Sequence, residues 1–311
     1  METFDFDRNR DFGALIEDTF KLGLRHIAPL LKYLVIFVGP LMVLNAFLMG
    51  AWMQGYMAMV QEVMAGGMDD PTAVLTQFSG LFGFRFFLGM VVSLVAVAVT
   101  YLLVLGYYNY QRENNAEPSM QDIQNAIFSN IGRLIGFYFV FGLLFSVGFA
   151  VLAFIVVLLA SISSALSAIL MIGLGVFALY AYVKLALAPI ILITEGKGIM
   201  DSLRTSWELT TGHWWKLFGG IIIVSLAVGL LVAVVSGAIS AILAITGMSP
   251  LSSSYLTTST VISNLISLVG YPFNLGVPIL MYYTLRPGRA KGGADDMIDQ
   301  IGADEFFGDN E

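Results

Sequence analysis

Five stretches of this chain, 33–56, 86–110, 134–160, 217–245 and 261–285, carry no charged residue at all. Each is longer than the roughly 20 apolar residues that a helix needs to cross the hydrocarbon core of a bilayer. Inside a bilayer every backbone N–H and C=O must be satisfied within the segment, so runs of this kind fold as transmembrane helices. A membrane β-barrel would instead need segments of about ten residues that alternate in polarity. Composition agrees: 58% of the 311 residues are hydrophobic and 12% are charged, about half the charged fraction of a soluble domain.

Applying the same length criterion along the chain predicts an all-α polytopic membrane protein with six spans, at 33–56, 86–110, 134–160, 166–194, 217–245 and 261–285. Gly39-Pro40 is expected to kink or tilt the first. Polar segments with helical periodicity precede alternate spans. At 10–25 the apolar positions Phe12, Leu15, Ile16, Phe20 and Leu24 recur at helical spacing, with Glu17, Asp18 and Lys21 turned away. At 119–131, Ser119 and Asp122 form a capping box ahead of Ile123, Ala126, Ile127 and Ile131. At 198–211, Ile199, Leu203 and Trp207 share one face. The layout reads as three hairpins, each introduced by an amphipathic helix on the membrane surface, within one helical membrane domain over 1–285. Thr19-Phe20 with His26, and Ser206-Trp207 with His213, keep one interval and suggest duplication.

Lysine and arginine set the expected orientation. Thirteen of the 15 fall before the first span, after the second, after the fourth or after the sixth; Arg85 lies on the opposite side and Lys184 within the fourth span. The excess of positive charge on cytoplasmic loops places both termini in the cytoplasm. The expected location is the bacterial cytoplasmic (inner) membrane. No cleavable signal peptide is evident in the first 25 residues. The tail, 286–311, is acidic and glycine-rich and is expected to be disordered; Phe306 and Phe307 within it have the makings of a docking motif for a cytoplasmic partner.

Around the fourth span the sequence is most particular. Ser202-Leu-Arg-Thr-Ser-Trp207-Glu-Leu-Thr-Thr-Gly212-His-Trp-Trp-Lys-Leu-Phe218 follows an alanine- and proline-containing span and Glu195. This pattern resembles the membrane domain that precedes the catalytic domain of some glycerophosphoryl diester phosphodiesterases, and related stand-alone bacterial membrane proteins. The resemblance implies a helical membrane module. It does not bring diesterase chemistry with it, because no catalytic barrel follows in this sequence.

Several residues are candidates for a site. Lys184 is a charge at span depth, where charges are costly and often mark a pathway or a partner; a packed cation paired with Glu195 or Glu208 is the plainer alternative. Pro189, Asn274 and Pro278 interrupt the fourth and sixth spans and can free backbone carbonyls at membrane depth. Trp207, Trp214, Trp215 and Lys216 read as interfacial anchors, with Gly212 ending the preceding helix. His26 and His213, the two histidines, are expected to be solvated at the interface rather than to bind metal. The absence of cysteine excludes disulfides and thiolate chemistry. There is no Ser-His-Asp order, HExxH or GxxxxGK[ST], so the expectation is no enzyme, no cofactor and no metal. With a net charge of −7, seven of the 22 carboxylates falling between Asp295 and Glu311, nucleic acid is excluded as a partner. The bilayer and a membrane or cytoplasmic protein are the expected partners. A non-catalytic scaffold is the favoured role, ahead of a carrier of small or lipidic molecules and a module serving a separate glycerophosphodiesterase.

Overall fold

The computed structural model describes residues 4–65, 71–160, 163–245 and 252–286. Over these residues the chain is helical, with no strand. Six of its helical stretches are long and apolar enough to cross a membrane: Gly39–Met64, Phe84–Asn114, Met120–Val156, Ser164–Thr194, Trp214–Leu243 and Thr257–Leu285. The protein is therefore a multi-pass membrane protein.

The helices are α1 (Phe12–Phe37), α2 (Gly39–Met64), α3 (Pro71–Gly80), α4 (Phe84–Asn114), α5 (Met120–Ala160), α6 (Ser164–Leu185), α7 (Ala188–Thr194), α8 (Ile199–Leu209), α9 (Trp214–Ile245), α10 (Ser253–Ser267) and α11 (Tyr271–Leu285). A 3₁₀ turn, Leu268–Gly270, joins the last two. Their packing follows a ring. α5 packs on α4, α4 on α2, α2 on α10, α10 on α9, α9 on α6, and α6 back on α5. α1 contacts α2, α4, α9 and α11, and so fills the bundle at the end where the described chain begins and finishes, called here the terminal end.

Two boundaries differ from the expected ones for physical reasons. The segment expected to end near residue 25 continues to Phe37, and Val38 alone separates it from α2, whose second residue is Pro40. Proline is tolerated there because its missing N–H belongs to a helix's unbonded first turn. The polar helix at 119–131 and the third span are one unbroken helix, α5, of 41 residues. At 1.5 Å per residue it is about 60 Å long, twice the roughly 30 Å hydrocarbon core. The capping box starts it. The backbone N–H and Oγ–H of Ser119 both donate to Asp122 Oδ2, at 2.8 and 2.7 Å, and the Asp122 N–H returns to Ser119 Oγ at 3.3 Å.

The tightly packed core lies toward the terminal end. It joins Leu15, Leu22, Leu30 and Leu34 of α1 to Leu102, Leu103 and Tyr107 of α4, Ile190 and Ile191 of α7, and Val277 to Tyr283 of α11. Close approach is possible because Gly23 lies under Phe273, where a Cβ would come within 2.4 Å of the ring. Toward the far end the helices expose large apolar residues such as Phe149, Phe154, Ile172 and Leu230. Lipid tails are as apolar as leucine, so such surfaces gain little from packing on protein.

Candidate functional site: a clasp between the broken fourth span and α8

The fourth span breaks where proline forbids continuity. α6 stops at Leu185, and Pro189 is the second residue of α7. Having no N–H, Pro189 cannot bond back to the Leu185 carbonyl. Just before the break, Lys184 is 3% exposed, and its backbone carbonyl accepts the Ser206 Oγ–H at 2.8 Å. Thr210 Oγ lies 3.3 Å from the same carbonyl and 2.8 Å from that of Ser206. A hydroxyl of α8 and one of the residue that caps it thus cover a carbonyl exposed by the break.

The Lys184 side chain completes the contact. Its Nζ donates to Thr211 Oγ at 2.8 Å and to the Trp207 carbonyl at 3.4 Å. The Thr211 hydroxyl in turn donates to that carbonyl at 2.8 Å. The ammonium also lies 5.4 Å from the Trp207 ring centre and 5.7 Å from that of Tyr180, within the range of cation–π attraction. A helix ends in unsatisfied carbonyls carrying about half a negative charge, and α8 ends at Leu209. Lys184 is therefore neutralised by a helix C-terminus and two aromatic faces.

This departs from the expected carboxylate partners. Glu195 pairs with Lys197 at 2.8 Å and accepts the Tyr282 hydroxyl proton at 2.9 Å, while Glu208 pairs with Arg204 on its own helix. Among the described residues Lys184 forms no ion pair.

The face that α8 turns inward is the hydroxyl stripe Ser202, Ser206 and Thr210, all fully buried. Ile199 and Leu203 remain partly exposed and Trp207 is 39% exposed. Spacings of four mark both stripes in the sequence; Ile199 and Leu203 pack at the edge of the apolar core, while the hydroxyl stripe is the one fully buried, where it bonds the carbonyl at the break. Gly212, at φ +82°, turns the chain out of α8, a conformation that a Cβ disfavours. Trp214 then donates its indole N–H to the Tyr180 carbonyl at 3.2 Å and stacks on Phe218. Trp215 is 76% exposed beside it.

The remaining candidates sit apart from Lys184. Lys216 donates to the Arg10 carbonyl. Asn274 accepts from Ser225 of α9 at 3.2 Å, and Pro278 is buried in α11. Pro189 is buried, five residues beyond Lys184. Phe306 and Phe307 lie outside the described residues.

A second polar node was not visible as such in the sequence. Asp18, expected to face away, is buried. It receives Arg8 Nε and Nη2 at 2.8 and 2.7 Å and Arg10 Nε at 2.7 Å. Arg10, 1% exposed, also donates to the carbonyls of Asp5, Phe6 and Arg8. Burial lowers the Arg10 pKa, opposed by Asp18. The segment before α1 is thereby held in the bundle, with Phe6 against Tyr108 and Tyr283. Asp7 joins it to α4 through Arg112 and to the residue after α11 through Arg286. His26 is also buried rather than solvated, 3.2 Å from the Tyr107 hydroxyl. Desolvation first, and then Arg25, push its pKa down to about 4, so it is neutral at physiological pH. His213 is exposed.

Among the described residues there is no group of three or more histidine, aspartate or glutamate side chains placed to hold a metal. No curated protein and no solved structure matches the chain. A family model does match, over residues 122–285, which takes in the whole of the clasp: the chain belongs to the DUF7847 family, a domain of unknown function.

Proposed function

We propose that this protein is a non-catalytic scaffold or accessory protein of the bacterial cytoplasmic membrane. Its three hairpins present amphipathic helices at the cytoplasmic surface, where they organise lipids or partner proteins. The observation that carries this reading is the clasp. Lys184, the residue best placed by sequence to bind a solute at span depth, is instead enclosed by Thr211, Trp207 and Tyr180, and holds α8 against the broken span. The grip leaves Met200 and Trp207 exposed on α8. Leu24 on α1 and Phe128 near the start of α5 are likewise exposed, at 63% and 70%. Apolar side chains at the ends of polar helices suit burial at the headgroup boundary or against a partner.

A separately encoded glycerophosphodiesterase is one such partner, suggested by the resemblance over 202–218. A carrier of small or lipidic molecules is the second reading, favoured by the breaks at Ala186-Leu187 and at the 3₁₀ turn before Pro272. The deciding experiment is purification of the tagged full-length protein in nanodiscs, with mass spectrometry of what accompanies it. The scaffold reading predicts a stoichiometric protein or a defined lipid shell, lost on substituting Met200→Glu and Phe128→Glu. Purification of the bare protein, or a complex indifferent to those substitutions, refutes it.

A further inference from the structure

A cleft of about 590 Å³ lies between α2 and α10, within the roughly 300–1,000 Å³ range of ligand sites. Its lining divides by depth. Val43 and Phe47 of α2 face Val261 and Ile262 of α10 at one end, and Gln54 of α2 faces Ser254, Thr257 and Thr258 of α10 at the other. The α2 positions are four and seven residues apart and those of α10 follow i, i+3, i+4, i+7 and i+8, so each set forms one stripe. The antiparallel register is fixed where a Cβ on Gly50 would stand 3.4 Å from Thr257 Oγ1. From Val43 to Gln54 the stripe rises about 16 Å along α2, roughly half the hydrocarbon core. In the last span, Thr257–Leu285, Thr257 and Thr258 stand at the beginning and Val261 and Ile262 a turn further in, so the hydroxyl end is the one nearer the far surface. Among the described residues, no charged one belongs to the lining.

We propose that this cleft binds a single lipid from the leaflet opposite the chain's terminal end, one whose headgroup is uncharged and hydroxyl-bearing, such as a glycosyl diacylglycerol. The acyl chain lies along Val43, Phe47, Val261 and Ile262. The head meets Gln54 and the α10 hydroxyls, each of which offers one donor and two acceptor sites. A phosphate head would be drawn from water toward groups that hold no countercharge, a cost not repaid there. The inference does not depend on the scaffold reading: a scaffold and a carrier alike can hold such a lipid.

Native mass spectrometry of the full-length protein tests it, with monoglucosyl diacylglycerol and phosphatidylglycerol of identical chains supplied together. The wild type should retain the glucosyl lipid about tenfold better. The double substitution Thr257→Val and Thr258→Val should bring the two lipids to near parity without shifting the melting temperature. Val261→Trp, which fills the deep end, should abolish retention of both, while Leu230→Trp on the exposed face of α9 should change nothing. Equal retention of the two lipids by the wild type overturns the proposal, as does wild-type retention by Val261→Trp.

Discussion

Asp18 shows how far a single side chain decides the terminal end of this bundle. A buried carboxylate between two guanidiniums is stable only while all three are present, because removing one partner leaves charge in a medium that solvates it poorly. Arg10 is the more constrained of the two arginines, with no side-chain exposure against 45% for Arg8. Asp18→Asn should therefore destabilise the protein by about 3 kcal/mol, measured by denaturant unfolding in detergent. A double substitution of Asp18→Leu with Arg10→Met, which removes both charges, should lie closer to the wild type than either single change. If Asp18→Asn unfolds within about 0.5 kcal/mol of the wild type, water reaches the node and the ion pair is not what holds the segment before α1.

At the scale of the element, the clasp makes α8 dependent on a helix far from it in sequence. Taken alone, α8 has 11 residues, too few for a stable isolated helix in water, so its order comes from docking: the hydrogen bonds of Ser206, Thr210 and Lys184, and Ile199, Leu203 and Leu209 against the core. Lys184→Met keeps the length of the side chain and removes the ammonium. It should weaken the attachment by about 1–2 kcal/mol, a factor of 5–30 in local opening, and trypsin should cut the detergent-solubilised protein correspondingly faster after Lys197 and Arg204. An unchanged cutting rate would mean that the two hydroxyls suffice. These contacts also mark the limit of what the sequence discloses. The spans are legible because an uncharged run of more than 20 residues has few other outcomes, and the capping box because Ser119 and Asp122 are three residues apart. Lys184 is legible as unusual. Its partners are not, since Trp207 and Thr211 lie 23 and 27 residues away, and only docking of α8 on the break brings them close. Asp18 misleads for a related reason: it lies in register with Leu15 and Leu22, but a charge in an amphipathic pattern reads as solvent-facing until Arg8 and Arg10 fold back from outside the helix.

For the molecule as a whole, the question is which end faces the cytoplasm, and the distribution of basic residues bears directly on it. Asp7 is bonded by Arg112 from the end of α4 and by Arg286 beyond α11, so the basic residues that follow the second and sixth spans meet those that precede the first. Arg133 reaches the Lys197 carbonyl, adding the groups that follow the fourth. Arg85 begins α4 at the other end. That arginines on the terminal side are paired with aspartates does not weaken the inference, because acidic residues contribute little to topology and the rule counts lysine and arginine. The chain contains no cysteine, so single cysteines report orientation without background. In intact cells expressing the protein, a membrane-impermeant maleimide should label Ser79→Cys, exposed at the end of α3, and should reach Glu117→Cys, exposed between α4 and α5, only after the cells are opened. The reverse pattern would put the surface helices outside the cell and remove the cytoplasmic scaffold. It would leave the cleft between α2 and α10 intact, but would make its lipid one of the inner leaflet.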